Sequence, residues 1–401
     1  MKTVLVINAG SSSLKFEVID MEDDKVLAKG LVERVGTDDA RLIYQPVART
    51  SEKIVIEKPI KDHEEAMKAA LDALVSSEHG VLDGLESIAA VGHRVLHGAE
   101  EFTESVSVDG HVLDTLRDNI DLGPLHMPAN IKGIETTMNL MPDVPNVAVF
   151  DTAFHQTMPD YAFLYALPYE AYEKYKIRKY GFHGTSHRYL ARRTPEFLDR
   201  NPDDLKMITC HLGNGSSLAA IRGGRCLDTT TGLTPLEGLA MGTRSGDIDP
   251  AAVPYLMDKY GMNLEQAMDY LNKQSGMLGI SGVSSDFRDL WDEAERGNRR
   301  ARLALDIFCY RVKKYIGAFA AVLDGLDVLV FAGGVGENDH GVREKICDHM
   351  NYLGIHLDRE ANMVRGEERI ISSPESRVTV VVVPTNEELM IAMDTAEVAG
   401  I

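Results

Sequence analysis

Apolar residues in this chain gather in short β-branched runs that stop abruptly at Gly, Asn, Asp or Ser, as strands do when they run into turns. Such runs cover residues 3–7, 16–19, 88–91, 147–150, 206–209, 218–221, 328–331 and 378–383. Between them the apolar spacing changes to the helical period, which predicts helices over 64–74 and 301–323. In the second, Leu303, Ile307, Tyr310, Val312, Ile316 and Ala320 recur close to every third or fourth position. Strands apolar enough to be covered on both faces, alternating with helices, predict an α/β protein. The longest apolar run, 378–383, is strand-sized and far short of a bilayer span. The apolar start at Val4 ends at Asn8, too soon for a secretory core, and no small-residue cleavage site follows.

One pattern recurs. Gly10-Ser11-Ser12-Ser13-Leu14 follows the first run, and Asn214-Gly215-Ser216-Ser217-Leu218 follows the run that starts at Lys206, half a chain later. Serine and glycine dominate turns, so coincidence would produce the same match. The other reading is a duplicated domain, each half opening with a β-hairpin whose turn faces a shared cleft. A chain of 401 residues favours two domains. No long linker separates the halves, and the boundary is expected near Asp151, giving 1–150 and 151–385.

Composition narrows the function classes. Apolar residues at 44% and charged residues at 26% describe a globular protein. Sixty-two acidic against 42 basic residues leave a net charge of −20, which disfavours nucleic acid and anionic membrane as partners. A local basic cleft could still hold a small anion. Cys210, Cys226, Cys309 and Cys347 show neither CxxC pairing nor metal spacing, and four lone thiols suit a reducing cytoplasm.

The sequence contains no P-loop, HExxH, EF-hand loop or GxSxG elbow. It does contain three Gly-rich turns after predicted strands, at 8–13, 211–216 and 333–338. Glycine lets a backbone approach an anion closely and aim its N–H groups at it, although hairpins need glycine for conformation alone. Basic and imidazole side chains cluster on non-helical segments: His93, Arg94 and His97; His183 and His187; and Arg244 between Gly242 and Gly246. Each Arg could bind a carboxylate or phosphoryl group, or simply pair with one of the many acids. His187 is expected to cap or pack. Asp151 ends the run 147–150, where α/β sheets present ligands, though a helix N-cap would look the same. Glu387 and Glu388 follow the run 378–383; either could hold a metal, directly or through water, or be first-turn helix acids. Together these parts suit phosphoryl transfer, which needs phosphate-cradling turns, a divalent metal, cations and an orienting carboxylate.

The segments that carry these residues resemble the acetate kinases nearly end to end. They are Asn8–Phe16, His93–Gly98, Asp151–Pro159, Tyr180–His187, His211–Gly215, Thr234–Gly238, Met241–Pro250, Asp286–Arg288, Gly334–Asn338 and Pro384–Glu388. The resemblance implies two duplicated ribonuclease H-like domains of the actin-like ATPase and sugar kinase type around a central cleft. The final helix, about 386–401, would complete the N-terminal domain. It implies a cytoplasmic homodimer and reversible transfer from Mg-ATP to acetate, giving acetyl phosphate and ADP, with Mn²⁺ as a possible substitute metal. Arg94 and Arg244 would hold the carboxylate and the moving phosphoryl group, His183 would stabilise the transition state, and Asp151 would position the substrate or a metal-bound water as the acid/base. Asn8 and Glu387 would serve the metal, with Glu388 facing away. Lys15, His211, Leu212, Gly213, Asn214, Gly215, Asp286, Phe287, Arg288, Gly334, Val335, Gly336, Glu337 and Asn338 would bind the nucleotide. Leu96, Leu125, Phe182 and Pro235 would surround the acetate methyl, with propionate or butyrate as the alternative substrates. A non-catalytic nucleotide switch on the same fold is the remaining reading. The chain departs from the family at Met127 and at Thr229-Thr230-Thr231, neither expected to touch a catalytic position.

Overall fold

The computed structural model describes residues 2–124 and 126–401. The chain divides into two compact units, the first comprising Met1–Phe154 with Asn386–Ile401, the second His155–Thr385. The division falls after Phe154, so Asp151, read from sequence as opening the second domain, belongs to the first unit.

The first unit is built on strands β1 (Thr3–Gly10), β2 (Ser13–Asp20), β3 (Lys25–Glu33), β4 (Arg41–Gln45), β5 (Ile54–Glu57), β6 (Ile88–Val95), β7 (Val106–Ser107) and β8 (Asn146–Phe150), in the order β5-β4-β3-β2-β1-β6-β8-β7. β1, β2 and β3 form an antiparallel meander, while β6 and β8 add parallel to β1. Alternate residues of β1 serve two cores, as the pleat requires. Leu5, Ile7 and Ala9 pack with Ala66, Met67, Ala70 and Leu74 of the helix His63–Leu74. Val4 and Val6 face Ile391 and Ala392 of the C-terminal helix Glu387–Ala399. Asp62 and Asn386 cap these helices by accepting from the backbone N–H groups of Glu65 and Leu389.

The second unit holds β9 (Lys206–Leu212), β10 (Ser216–Arg222), β11 (Arg225–Thr229), β12 (Val328–Ala332), β13 (Arg369–Ile370) and β14 (Thr379–Val382), in the order β11-β10-β9-β12-β14-β13. Here too the first three strands of the core are antiparallel and the next two join parallel. The orders β3-β2-β1-β6-β8 and β11-β10-β9-β12-β14 are therefore one topology used twice, the ribonuclease H-like arrangement that the resemblance implied. The repeated Ser-Ser-Leu occupies the corresponding hairpin in each: Leu14 pairs with Ala9, and Leu218 with Cys210. On β9, Ile208, Cys210 and Leu212 enter a core closed by the long helix Arg299–Val322. The intervening Thr209 and His211 face the helix Gly184–Leu198, where His187 and Ser186 bond to them. No described helix is long and apolar enough to cross a membrane.

Gly92 of β6 shows how closely the C-terminal helix lies on the first sheet. A methyl group there would come within 2.2 Å of Thr395 Oγ1 and 2.8 Å of Ile391 Cγ2. Gly92→Ala should therefore cost about 1–3 kcal/mol of stability by overpacking. Urea unfolding should show a lower midpoint at an unchanged slope, and an unchanged midpoint would mean that the helix yields freely.

Candidate active site

In the first unit, three parallel neighbours bring their functional residues toward one end of the sheet. Ile7 of β1 pairs with His93 of β6, and Arg94 of β6 pairs with Val149 of β8. Asn8, Arg94 and Asp151 thus sit at or just beyond the carboxyl ends of adjacent strands, the edge at which α/β sheets hold ligands. Arg94 donates from Nε to Asp151 Oδ1 at 3.1 Å and from Nη2 to Oδ2 at 2.5 Å. Asp151 is almost wholly buried, and its charge holds the Arg94 guanidinium protonated well above the ordinary arginine range, against the opposing effect of burial.

The helix Glu387–Ala399 adds two acids beside this pair. Asn8, Lys15, Glu17, Arg94, Glu387 and Glu388 line one small cavity with Val6, Phe16 and Ile391. The Glu387 carboxyl is pushed up to about 7, chiefly by burial, with Arg94 opposing the rise and Asp151 and Glu388 adding to it. Glu388 does not face away as expected. It lines the same cavity and takes a hydrogen-bonded ion pair from Lys15, because the first helical turn carries both acids toward β2. Burial lowers the Lys15 ammonium, but Glu388, Glu17 and Glu387 outweigh it and raise the group overall. Lys15, expected among nucleotide ligands, therefore stands in an acidic cluster of the first unit.

In the second unit the parallel strands β9 and β12 end side by side, Ala332 opposite His211. The hairpin Gly213-Asn214-Gly215 follows β9. After β12 the expected turn is a short helix, Gly333–Asn338. Gly333 has φ +74°, and a Cβ there would lie 2.7–3.0 Å from backbone atoms of Leu212. Glycine is required at this close approach. Gly213, Asn214, Asp286, Phe287, Arg288, Gly334, Val335 and Asn338 line a cavity of about 960 Å³, which also takes in Trp291 and Arg365. Three motifs far apart in sequence thus share one cavity.

Other expected ligands have structural work. Leu212 is fully buried in the core, leaving only its backbone to the hairpin. Glu337 Oε1 accepts from the N–H groups of Gly333 at 2.8 Å and Thr385 at 3.0 Å, tying the glycine-rich segment to the chain after β14. Gly336 lies buried beneath that segment, and its carbonyl accepts from the fully buried Arg343. Asp286 caps the helix Phe287–Glu295 and pairs with Arg288 at 2.6 Å. Trp291, the single tryptophan, gave no motif to read; its indole donates to Asp339 at 2.7 Å.

His183 occupies the left-handed region at φ +56° and opens the helix Gly184–Leu198. Its Nδ1 lies 2.8 Å from Ser217 Oγ, and its ring stacks on His211 at 4.5 Å. A Cβ added to Gly215 would meet His183 Nε2 at 3.2 Å and Arg244 Nη1 at 3.8 Å, so this glycine leaves both groups room. Burial lowers the Arg244 guanidinium. Thr231 Oγ1 accepts from the N–H of Phe182, next to His183, and touches none of the expected catalytic side chains in that bond. Of the four expected methyl-pocket residues, Leu125 lies outside the described residues, Leu96 belongs to the first unit, and Phe182 and Pro235 to the second.

The model of the acetokinase family matches residues 3–393. An acetate kinase of Pseudothermotoga lettingae is 56% identical over 395 residues, 98% of this chain and 97% of that protein. The crystal structure of Porphyromonas gingivalis acetate kinase superposes with a TM-score of 0.96 at 47% identity, covering 99% of this chain and 100% of that one. A propionate kinase from Francisella tularensis gives 0.91 at 41% identity, with 99% and 100% covered.

Gly333→Ala would force a side chain into the left-handed region against the Leu212 backbone, at about 1–3 kcal/mol of strain. ATP affinity by calorimetry should fall, along with the melting temperature. Retained affinity would mean that this segment does not shape the cavity.

Proposed function

The chain belongs to the acetokinase family, and we propose that it works as an acetate kinase, moving the terminal phosphoryl group of ATP to acetate and back. In the forward direction an acetate oxygen attacks the γ-phosphorus in line. The bond to the β,γ-bridging oxygen breaks, ADP leaves, and acetyl phosphate forms with no proton transferred. The observation that carries this reading is the Arg94–Asp151 pair. A guanidinium has five N–H donors; Asp151 takes two, which orients the group and leaves the others for an incoming carboxylate. Asp151 acts here by orientation. Arg244 and the His183 Nε2–H would meet charge developing on the phosphoryl oxygens. The glycine-lined cavity of the second unit would take the nucleotide, with backbone N–H groups of Gly213–Gly215 and Gly334–Asn338 toward its phosphates.

A divalent metal fits the donors of the first unit. Asn8 and Glu387 offer hard oxygen atoms to one cavity, the donor type that Mg²⁺ takes. Among the described residues no group of three His, Cys, Asp or Glu could enclose a metal. Such a metal would keep water and phosphate oxygens as its remaining ligands. When bound, Mg²⁺ would neutralise phosphate charge. We place the enzyme in the cytoplasm, where its four buried free thiols stay reduced. A homodimer would cover exposed side chains of the second unit such as Tyr255, Tyr260 and Leu264.

Trapping acyl phosphate with hydroxylamine, using acetate, propionate and butyrate in parallel, tests the substrate. Acetate should lead, with propionate poorer by the 1–3 kcal/mol, about 10- to 200-fold, that one methylene is worth. A preference for propionate would move the chain toward the activity named for the Francisella protein. Arg94→Lys and Arg244→Lys keep charge but lose the planar fork, and each should lose about 10²–10³ in kcat while circular dichroism stays native. Near-normal kcat in either would remove that residue from the chemistry. Glu387→Ala should raise the Mg²⁺ concentration for half-maximal rate, and Glu388→Gln, whose carboxylate is engaged by Lys15, should shift it less. Equal shifts would overturn the placement of the metal.

A further inference from the structure

Behind His183 runs a chain of hydrogen bonds that the chemistry above leaves unused. His183 Nδ1 is 2.8 Å from Ser217 Oγ, the same oxygen is 2.8 Å from His187 Nε2, and His187 Nδ1 is 2.7 Å from Thr209 Oγ1. Helical spacing sets His187 one turn beyond His183, while β9 and β10 supply Thr209 and Ser217 from adjacent antiparallel strands. His187, Ser217 and Thr209 have no exposed surface, so water does not compete for these bonds.

Counting protons limits how such a chain can be arranged. Burial, with the neighbouring His155 and His211 adding to it, holds the His187 imidazole far below its ordinary range, so the ring is neutral and carries one N–H. A hydroxyl has one proton to donate. Since a hydroxyl donates once but can accept twice, the three bonds run head to tail toward His183, head to tail away from it, or converge on Ser217 from both rings. Running toward it, Thr209 donates to His187 Nδ1, His187 Nε2–H donates to Ser217, and Ser217 donates to His183 Nδ1. That direction alone makes Nδ1 an acceptor and puts the ring proton of a neutral His183 on Nε2. A donor aimed at phosphoryl oxygens requires the proton there.

We propose that Ser217 is a positioning residue for the phosphoryl transfer, donating to His183 Nδ1 so that Nε2–H is fixed as the donor, with His187 and Thr209 setting the direction of the chain. The inference rests on the role given above to His183. Partners of this kind fix the tautomer and orientation of an imidazole without touching substrate.

The test compares Ser217→Ala, Thr209→Val and Thr209→Ser, each alone and with His183→Ala, by kcat, by KM for ATP and acetate, and by thermal unfolding. Ser217→Ala should lose about 10- to 100-fold in kcat, the usual cost of removing an orienting partner, with both KM values within about threefold. Thr209→Val removes the terminal donor at constant shape and should also lower kcat, while Thr209→Ser restores it. Neither loss should add to that of His183→Ala, whereas a merely structural role would cost rate in both backgrounds. Nitrogen-15 spectra should place the His183 proton on Nε2 in the wild type. The inference falls if Ser217→Ala keeps full kcat, if the losses multiply with His183→Ala, or if the proton resides on Nδ1. Full turnover in His183→Ala would instead overturn the role of His183 itself. A loss there with none in Ser217→Ala overturns only the chain.

Discussion

Arg94 and Asp151 meet because β6 and β8 are parallel neighbours whose register sets Val95 opposite Phe150, and much of the first unit follows from that meeting. The buried Asp151 carboxylate gives up several kcal/mol of hydration and the partly buried guanidinium gives up less, and the loss is recovered only if both hydrogen bonds form. A slip of one residue would turn every side chain of the strand to the other face and leave the Asp151 charge uncompensated inside. The pair thus makes the sheet intolerant of other registers. The same demand explains the acids at the start of the C-terminal helix. Arg94 and Lys15 offset part of the negative charge of Glu387 and Glu388, which sit at a helix N-terminus, where the dipole also favours them.

The second unit uses the same topology for a different task. Its strand ends carry glycine-rich backbone where the first unit carries charged side chains. β9 shows why one strand can serve both core and site: Cys210 and Leu212 close the core, and Thr209 and His211, one residue out of phase, face the helix that begins after His183. Glu337 illustrates how a motif residue can carry structure. Its carboxylate fixes two backbone N–H groups, and the cavity shape depends on that more than on any contact it could make itself.

These distinctions mark how far the sequence could be read. Strands covered on both faces, such as β8 and β12, announced themselves as unbroken apolar runs. Strands β3 and β4 did not, since charged and polar residues interrupt them, and β5 is a short apolar run that is mostly exposed. The glycines at strand ends, and Arg94 and Asp151 as separate candidates, were legible from residue type and position; that the two pair was not. The orientation of Glu388, the indole of Trp291 and the bridging hydroxyl of Ser217 were not. Each depends on which partner tertiary packing brings near, and serine in a hairpin carries no local sign of that.

The left-handed backbone of His183 shows the same dependence at its sharpest. A non-glycine residue in that region costs of the order of 1 kcal/mol and persists only where its surroundings over-determine it. Here both backbone polar atoms of the preceding Phe182 are claimed: its N–H donates to Thr231 Oγ1 at 2.9 Å, and its carbonyl accepts from His155 Nε2 at 3.0 Å. Thr231 and His155 are themselves wholly buried. Neither bond touches the His183 ring, yet together they fix the peptide from which the ring projects, while Ser217 fixes the ring from its far side. A residue at 231 without a hydroxyl would have to leave the Phe182 N–H to another acceptor, since an unpaired buried donor costs about 1–3 kcal/mol. Thr231 therefore acts on the position of His183 through backbone geometry, without touching its ring.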